Sequence, residues 1–398
     1  MSLTVKDKPY IIPEYSVTGD ILSFLKCGLQ YRYQNKGELP PSKPVQLWFG
    51  EFIHGVMEEA YLRWSTWDDV PNFPWDWSTY IREIELAVST RLAAGGLRAL
   101  RGIFCPFREA NDLNGPCKDS NHPHKWIASK RAERAINIIG PHLFPLISEP
   151  EVKLKGTRPM PNFNAGTSRS NYYGISGVID VLASLKLRTA DSENIIIKLL
   201  NETDEGIKIM TDLEGGGFEV IIDYKGMNRP AINDPEWGHH KDQVLDYAWL
   251  RAKQSDSKPV KLGILIYINE LAPSKNDLRE LKALFLDKSK ASEIDVLPVS
   301  DDLDKILKWN PKENVPKFSE SFRVRRAVRI LPIKGELFNE SINRADSVVS
   351  QIESSIFSET NGVLITEAWA MTGDVKTCTV CDFKTFCPDS KDKRPPTI

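Results

Sequence analysis

The sequence of 398 residues lacks a surplus of charge of either sign, a long apolar run and a dense set of cysteines. Lysine and arginine together number 52, against 54 aspartates and glutamates, which gives a formal net charge of −2. Net charge therefore provides no argument for nucleic-acid binding, and any basic surface must be local. No apolar run approaches the length of a membrane span, and the segment MSLTVKDKPYIIPEYS has no apolar core of the signal-peptide kind. We expect a cytoplasmic protein without a membrane partner.

Six cysteines are too few for a disulfide scaffold in a chain of this length. Cys378, Cys381 and Cys387 have the spacing C-x2-C-x5-C, and Cys27 lies far upstream in a helical pattern. Their clustering is typical of metal ligation in a reducing compartment. Spacing alone leaves both zinc, the commoner structural choice, and an iron–sulfur cluster open. Either one would tie the first helix to the cysteine-bearing tail.

A second group of cysteines and histidines lies in a polar loop. Its members are Cys105, Cys117, His122 and His124, with the spacing C-x11-C-x4-H-x-H. One interpretation is a small zinc site that pins an insertion. The other is two incidental cysteines beside a histidine-containing loop, since the H-x-H spacing is tighter than in the usual zinc finger.

The period of the apolar residues changes near residue 150. Upstream, helical periodicity covers residues 16–34, 47–64, 75–100 and 126–139. Downstream, short β-branched or apolar runs predict a mostly antiparallel sheet, with strands at 151–154, 174–187, 195–200, 218–224 and 262–268. Further helices are predicted over 234–253, 276–288 and 337–356.

This change of period suggests three parts. Residues 1–150 form a helical region that carries Cys27, His54 and the Cys/His loop. Residues 151–335 form an α/β core, and residues 336–398 form a helix and a cysteine-bearing tail that packs back on the first region.

Three short patterns in the core carry candidate catalytic residues. Asp180 ends the apolar strand segment GVID, and Asp223 and Lys225 share one face of the strand VIIDYK. Gln243 and Tyr247 are one helical turn apart and share a helix face. Each pattern alone has an ordinary alternative: Asp-x-Lys is often an ion pair at a turn, and Gln-x3-Tyr a coincidence of a helix surface.

Together these residue types suit a hard cation. The carboxylates of Asp180 and Asp223, with the carbonyl of Tyr224, are the oxygen ligands that Mg²⁺ and Mn²⁺ prefer. His54 would favour Mn²⁺, although a lone helical histidine is more often structural. A cation held here can activate water against a phosphodiester, and Lys225 can stabilise the developing charge.

The order of these pieces resembles the RecB-like branch of the PD-(D/E)xK nuclease superfamily, especially its iron–sulfur members. Those members include CRISPR-associated exonucleases, AddB-type nuclease modules and eukaryotic replication helicase-nucleases. The matching segments are TGDILSFLKCGLQYRYQ, GEFIHGVMEEAY, GVIDVL, IIDYKG, QVLDYAWL and CTVCDFKTFC. The resemblance implies a restriction-endonuclease-like α/β core, a mixed central sheet flanked by helices.

The resemblance also implies roles for single residues. It makes His54, Asp180 and Asp223 metal ligands and Lys225 the catalytic lysine. Gln243 and Tyr247 would support the site and contact DNA. The four ligands of a [4Fe–4S] cluster would be Cys27, Cys378, Cys381 and Cys387.

The function so implied is a metal-dependent DNA nuclease, an exonuclease or an endonuclease, that acts on single-stranded DNA or DNA ends in repair, recombination, phage defence or CRISPR-type processing. The stretch between Asp180 and Asp223 is longer than in compact family members, and the third motif has aspartate where many superfamily members have glutamate. The sequence has no Gly-x4-Gly-Lys-Ser/Thr phosphate loop, so the chain is not its own motor. The resemblance implies a separate helicase, recombination or defence partner. Two alternatives remain: a non-catalytic DNA-binding or scaffolding subunit of a helicase complex, and an RNA-directed nuclease of the same superfamily.

One basic segment stands out from the balanced charge of the chain. The segment FRVRRAVRI contains Arg323, Arg325, Arg326 and Arg329. In a nuclease such a run is a candidate for contacts with DNA phosphates. The alternative is a solvated face of a helix or strand.

Overall fold

The computed structural model describes residues 12–36, 45–107, 124–164, 168–212 and 217–392. These residues form an α/β fold in which six strands make one mixed sheet between two layers of helices. In these ranges, none of the helices combines the length and the apolar character that a membrane span requires.

The strands of the sheet are joined in the order β1-β3-β4-β5-β6, with β2 paired to β3. Their bounds are β1 Glu14–Ser16, β2 Ile147–Pro159, β3 Tyr172–Ala183, β4 Glu219–Lys225, β5 Val260–Tyr267 and β6 Val328–Pro332. Two of the pairings are parallel, β1 with β3 and β4 with β5. The other three are antiparallel, which confirms the predicted mixed sheet.

Strand β3 organises the sheet. Along one edge it pairs with β2 over nearly its whole length. Along the other edge, β1 pairs with Gly174 to Ser176 and β4 with Val181 to Ala183. The segment of β3 between these two partners, which ends in Asp180, is therefore left open on that edge.

Helices cover both faces. Upstream of β2 they are α1 Ser23–Lys26, α2 Gly28–Tyr31, α3 Val45–Thr66, α4 Arg82–Ala94, α5 Ile127–Arg134 and α6 Gly140–Leu143. Downstream of β3 they are α7 Ile195–Asn201, α8 Asp204–Asp212, α9 Pro235–Arg251, α10 Lys275–Leu286, α11 Ser300–Lys308, α12 Glu320–Ala327, α13 Gly335–Thr360, α14 Ile365–Ala368 and α15 Val375–Val380. Short π-helical turns extend several of them, for example at Val17–Leu22 and Ala135–Ile139.

Alternation along β4 supplies a hydrophobic core on each face of the sheet. Val220 and Ile222 pack with apolar side chains of α3, α4 and α5. Ile221 faces the other way and packs with α9, α13 and the first helices. Asp223 and Lys225 follow the phase of Ile221, so they lie on the α9 side. A third, small cluster joins α10, α11 and α12.

Two predictions differ from the structure. Residues 195–200 were predicted as a strand but form α7, because the Asn194 side chain accepts hydrogen bonds from the backbone N–H groups of Ile196 and Ile197 and caps a helix there. Residues 1–150 are not wholly helical, since β1 belongs to the central sheet and the boundary at residue 150 falls inside β2.

Candidate active site and cysteine cavity

The candidate site lies where β3 and β4 part. Val181 pairs with Ile222, and one further step of the antiparallel register sets Asp180 opposite Asp223. At this step the backbone N–H of Tyr224 donates to Oδ2 of Asp180 at 2.8 Å. The end of the ladder therefore brings together two carboxylates that the sequence predicted as metal ligands.

Helix α3 adds His54 to this pair. Its Nδ1 lies 3.1 Å from Oδ1 of Asp180, and its ring meets the Tyr224 ring edge-on with centroids 6.0 Å apart. Burial lowers the pKa of His54, but the Asp180 carboxylate outweighs it, so the net pKa is raised. Without a cation the imidazole is therefore protonated and paired with Asp180, and a bound cation would replace that proton.

Lys225 is held between β4 and α9. Its Nζ lies 2.5 Å from Oδ2 of Asp223 and donates to Oε1 of Gln243 at 2.6 Å. Nε2 of Gln243 in turn donates to Oδ1 of Asp223 at 3.2 Å and to the Tyr247 hydroxyl at 3.1 Å. One amide side chain thus fixes the lysine, a carboxylate and the tyrosine in a single network.

Asp223 has the environment of a cation ligand. It is 1% exposed, and burial raises its pKa, with Lys225 and His54 opposing and Asp180 adding to the rise. Its Oδ2 accepts no regularly directed hydrogen bond from the described residues, although it contacts the Lys225 ammonium. The Lys225 ammonium is the cation that this oxygen meets here, and carboxylate oxygens are also the ligands that Mg²⁺ and Mn²⁺ prefer. The residues present therefore fit Mg²⁺ or Mn²⁺.

A groove of about 910 Å³ is lined by six of the predicted site residues, His54, Asp180, Tyr224, Lys225, Gln243 and Tyr247, and not by the buried Asp223. Its wall also carries Glu151, which sequence reasoning treated only as the start of a strand. Glu151 sits after an irregularity of β2 with a φ of 51°, and burial, with Asp180 and Glu58 adding, raises its pKa to about 7. The sequence gives no signal for this placement of Glu151, because its positive φ and its position in the groove wall are properties of the folded chain.

No three His, Cys, Asp or Glu side chains within the described ranges converge as a closed metal site.

The four predicted cluster ligands share a second, smaller cavity. Cys27, Cys378, Cys381 and Cys387 all line it, and none forms a disulfide. Burial raises the pKa of Cys381 to about 11, a backbone hydrogen bond from Phe383 opposes, and the neighbouring Cys27 and Cys378 add to the rise. Four thiols facing one cavity form a sulfur-only donor set, which fits an iron–sulfur cluster or zinc.

Contacts beside this cavity join distant parts of the chain without a metal. The backbone N–H of Leu29 donates to the Ala370 carbonyl at 3.0 Å. A Cβ at Gly28 would stand 2.9 Å from that same oxygen, so only glycine permits the approach. The buried Trp369 ring packs on Phe24 and Tyr31, with centroids 6.4 and 6.0 Å apart.

The Cys/His loop is described in part. Sγ of Cys105 lies 3.2 Å from Nδ1 of His124, so two of the four proposed zinc ligands are adjacent. Cys117 and His122 lie outside the described residues.

Three of the four predicted DNA-binding arginines form ion pairs with carboxylates of this protein. Arg325 pairs with Glu202 at 2.5 Å, Arg326 with Glu270 at 2.7 Å, and Arg329 with Asp295 at 2.7 Å. Arg323 differs: its guanidinium donates to the Leu271 carbonyl at 3.1 Å, and its buried Nε has no partner among the described residues. The acidic partners are distant in sequence, so the basic run alone could not reveal them.

The site must be interpreted from its own geometry, because no family model and no curated protein matches this sequence.

Proposed function

We propose that this protein is a metal-dependent nuclease with a RecB-like, restriction-endonuclease-like core. The observation that carries the proposal is the meeting of Asp180 and Asp223 at the parting of β3 and β4, with Lys225 fixed beside them by Gln243. Paired carboxylates next to an oriented lysine are the groups that phosphodiester hydrolysis requires.

Asp180, Asp223, His54 and the Tyr224 carbonyl would hold Mg²⁺ or Mn²⁺. When bound, the ion polarises the phosphoryl oxygen and lowers the pKa of the attacking water. The Tyr224 N–H anchors Oδ2 of Asp180, which leaves Oδ1 on the His54 side. The ligand geometry is thus partly set by the backbone of β4.

The other side chains would act on the substrate. Lys225 would place its ammonium against the negative charge that develops on the phosphoryl oxygens, and Gln243 keeps that ammonium in place. Glu151, with a pKa near neutrality, would accept the proton of the attacking water. These residues line one groove, so they can serve one scissile bond.

The substrate and partners in this proposal rest on the family resemblance. We propose DNA, single-stranded or at duplex ends, as the substrate, and a separate helicase or recombination protein as partner. The four-cysteine cavity would hold a [4Fe–4S] cluster, and the pair Cys105–His124 would belong to a zinc site.

The test is cleavage of end-labelled single-stranded DNA, duplex DNA and matched RNA with Mg²⁺ or Mn²⁺, using anaerobically purified protein. We compare wild type with Asp223→Asn and Lys225→Met, and with Asp301→Asn, an exposed aspartate of α11, as matched control. Circular dichroism checks that each variant is folded.

We expect the first two variants to lose at least about 100-fold in rate, because each removes a group that acts in the transition state. Asp301→Asn should cleave like wild type. Equal cleavage by all four proteins would mean contamination and would refute the proposal. Binding without cleavage by wild type would favour a non-catalytic subunit. Faster cleavage of RNA than of DNA would show that RNA is the preferred substrate.

A further inference from the structure

A second groove, outside the catalytic residues, has a strongly one-sided charge. It encloses about 820 Å³ between α5, the start of α10 and the segment that leads into α12. Its lining contains six basic side chains, Lys125, Lys130, Arg134, Lys275, Lys317 and Arg323, against one acidic side chain, Glu133. Glu133 is already paired with Lys125 at 2.5 Å. The catalytic groove, by contrast, mixes acidic and basic residues.

Arg323 gives this groove a buried cation whose charge is not balanced by an ion pair among the described residues. It is 9% exposed, and no described carboxylate forms an ion pair with it, although Glu320 and Asp302 are near enough to affect its charge. Its pKa is lowered by burial first and by the neighbouring Arg134 second. Two guanidinium groups that repel each other in a partly desolvated wall are stabilised when an anion lies between them.

Helix α10 begins at the groove, where Ser274 and Asp277 form a capping box and Arg131 pairs with Asp277 at 2.5 Å, so the positive charge of the groove comes from its side chains. The basic side chains come from separate elements and are spread over a groove far larger than one phosphate. The arrangement therefore suits an extended polyanion more than a single small anion.

The basic groove adjoins the catalytic groove on the same edge of the sheet. Lys225 and Tyr267 are register partners at the carboxyl ends of β4 and β5, and the chain runs from Tyr267 through Ile268–Leu271 directly into the basic groove. Between the grooves stands Arg131, which donates to the Ala272 carbonyl at 3.2 Å and covers the Phe49 ring at 5.2 Å. Phe49 in turn packs against Gly226 of the catalytic groove.

We propose that the basic groove binds the phosphodiester backbone of the nucleic-acid strand whose scissile bond lies in the catalytic groove. This proposal rests on the proposed nuclease function for the identity of the polyanion. Contacts to phosphates fix the register of a strand without reading its bases, so the groove would position substrate of any sequence.

The test is fluorescence anisotropy with a labelled single-stranded oligonucleotide in EDTA, where no cleavage occurs, over a series of salt concentrations. The groove variant is Lys130→Glu with Lys317→Glu, both exposed positions. The matched control is Lys186→Glu with Lys208→Glu, two exposed lysines outside the groove that give the same change in net charge.

We expect the groove variant to bind at least about 10-fold more weakly, and the slope of log K against log salt to fall by about 1.4, which is two phosphate contacts on a single strand. The control should bind like wild type. Equal affinities and slopes for both variants, or no binding by wild type, would overturn the proposal. So would equal displacement of the oligonucleotide by poly-glutamate, since the groove would then recognise charge and not phosphodiesters.

Failure of this proposal can be told apart from failure of the nuclease proposal. Binding is measured without metal, and cleavage is measured with Asp223→Asn as reference. If wild type cleaves and the groove variant binds the oligonucleotide like wild type, the groove proposal alone is refuted. If oligonucleotide binding depends on Lys130 and Lys317 but wild type does not cleave, the nuclease proposal alone is refuted.

Discussion

At the residue scale, Gln243 is the most constrained polar side chain of the site. It accepts from Lys225 and donates to both Asp223 and Tyr247 in a buried environment. We predict that Gln243→Leu lowers the free energy of unfolding by about 1–3 kcal/mol, because it leaves buried partners unsatisfied. Cleavage should fall as well, since the Lys225 ammonium loses its anchor. Urea denaturation and single-turnover cleavage measure the two effects.

Gln351 on α13 is the control for this change, because it is exposed and bonds only weakly to its own helix through Ser347. Gln351→Leu should alter stability by less than about 0.5 kcal/mol. A Gln243→Leu protein as stable as this control would show that the network contributes nothing.

Asp246 makes stability depend on pH. It is 2% exposed between α9 and α13, accepts from the Ser341 hydroxyl at 2.7 Å, and burial raises its pKa to about 7. A carboxyl with a raised folded-state pKa stabilises the fold below its unfolded pKa, and this contribution is lost as pH rises through about 7. We therefore predict that Asp246→Asn is more stable than wild type by about 1–3 kcal/mol near pH 8, and that the difference disappears near pH 4.

Urea denaturation across this pH range is the measurement. Asn retains an acceptor for Ser341, so loss of the hydrogen bond should not obscure the result. A difference that stays constant with pH would contradict a buried titrating carboxyl at this position.

At the scale of elements, α9 lies on β3 through a glycine. A Cβ at Gly177 would stand 2.5 Å from Cε1 of Tyr247, whose ring is buried. We predict that Gly177→Ala destabilises the protein by about 1–3 kcal/mol, because the strand must move away from the helix that carries Gln243. Chemical denaturation and cleavage measure the consequence.

The control lies on the same helix. A Cβ at Gly238 meets nothing within 4 Å, so Gly238→Ala should stabilise the helix by about 0.5–1 kcal/mol. If Gly177→Ala proved as harmless as Gly238→Ala, the close packing of α9 on β3 would be refuted.

The sequence predicts those elements whose signals are local. Strand alternation and helical spacing were enough to place Asp223 with Lys225 and Gln243 with Tyr247, and the structure brings these pairs together. The three-residue strand β1 gave no signal, because its partner in β3 lies far along the chain. The apolar run at 195–200 was ambiguous, and the Asn194 cap decided it in favour of a helix.

The same limit applies to side-chain partners. Arg325 pairs with Glu202, 123 residues away in sequence, and nothing in the basic run reveals this partner. The basic groove was missed for the opposite reason. Of its six basic residues only Arg323 belongs to the basic run FRVRRAVRI, and only tertiary structure gathers it with the other five, which come from separate segments.

At the scale of the whole molecule, four cysteines from the first and the last helical segments line one cavity. We predict that anaerobically purified protein contains iron and acid-labile sulfide, and that Cys27→Ser and Cys381→Ser lose both. Their melting temperature should fall by about 5 °C or more, because cluster binding is coupled to folding. Absorbance, iron analysis and thermal denaturation are the measurements.

Cys105→Ser is the control for iron content, since Cys105 lies outside the four-cysteine cavity and should leave iron unchanged. If wild type contains zinc and no iron, and Cys27→Ser loses the zinc, the cavity holds a zinc site and not an iron–sulfur cluster. Iron retained in both cavity variants would mean that these cysteines are not its ligands.

The hydrogen bond between Leu29 and Ala370 also bears on how the protein folds during synthesis. The contact closes a loop of more than three hundred residues, as does that of Tyr15 with Glu353, which are 338 positions apart. Pairings of such separation form late and slow the search for the native state. The packing of Phe24 and Tyr31 near Cys27 is therefore complete only after Trp369 has been synthesised. Until then these apolar side chains favour contacts with other apolar surfaces.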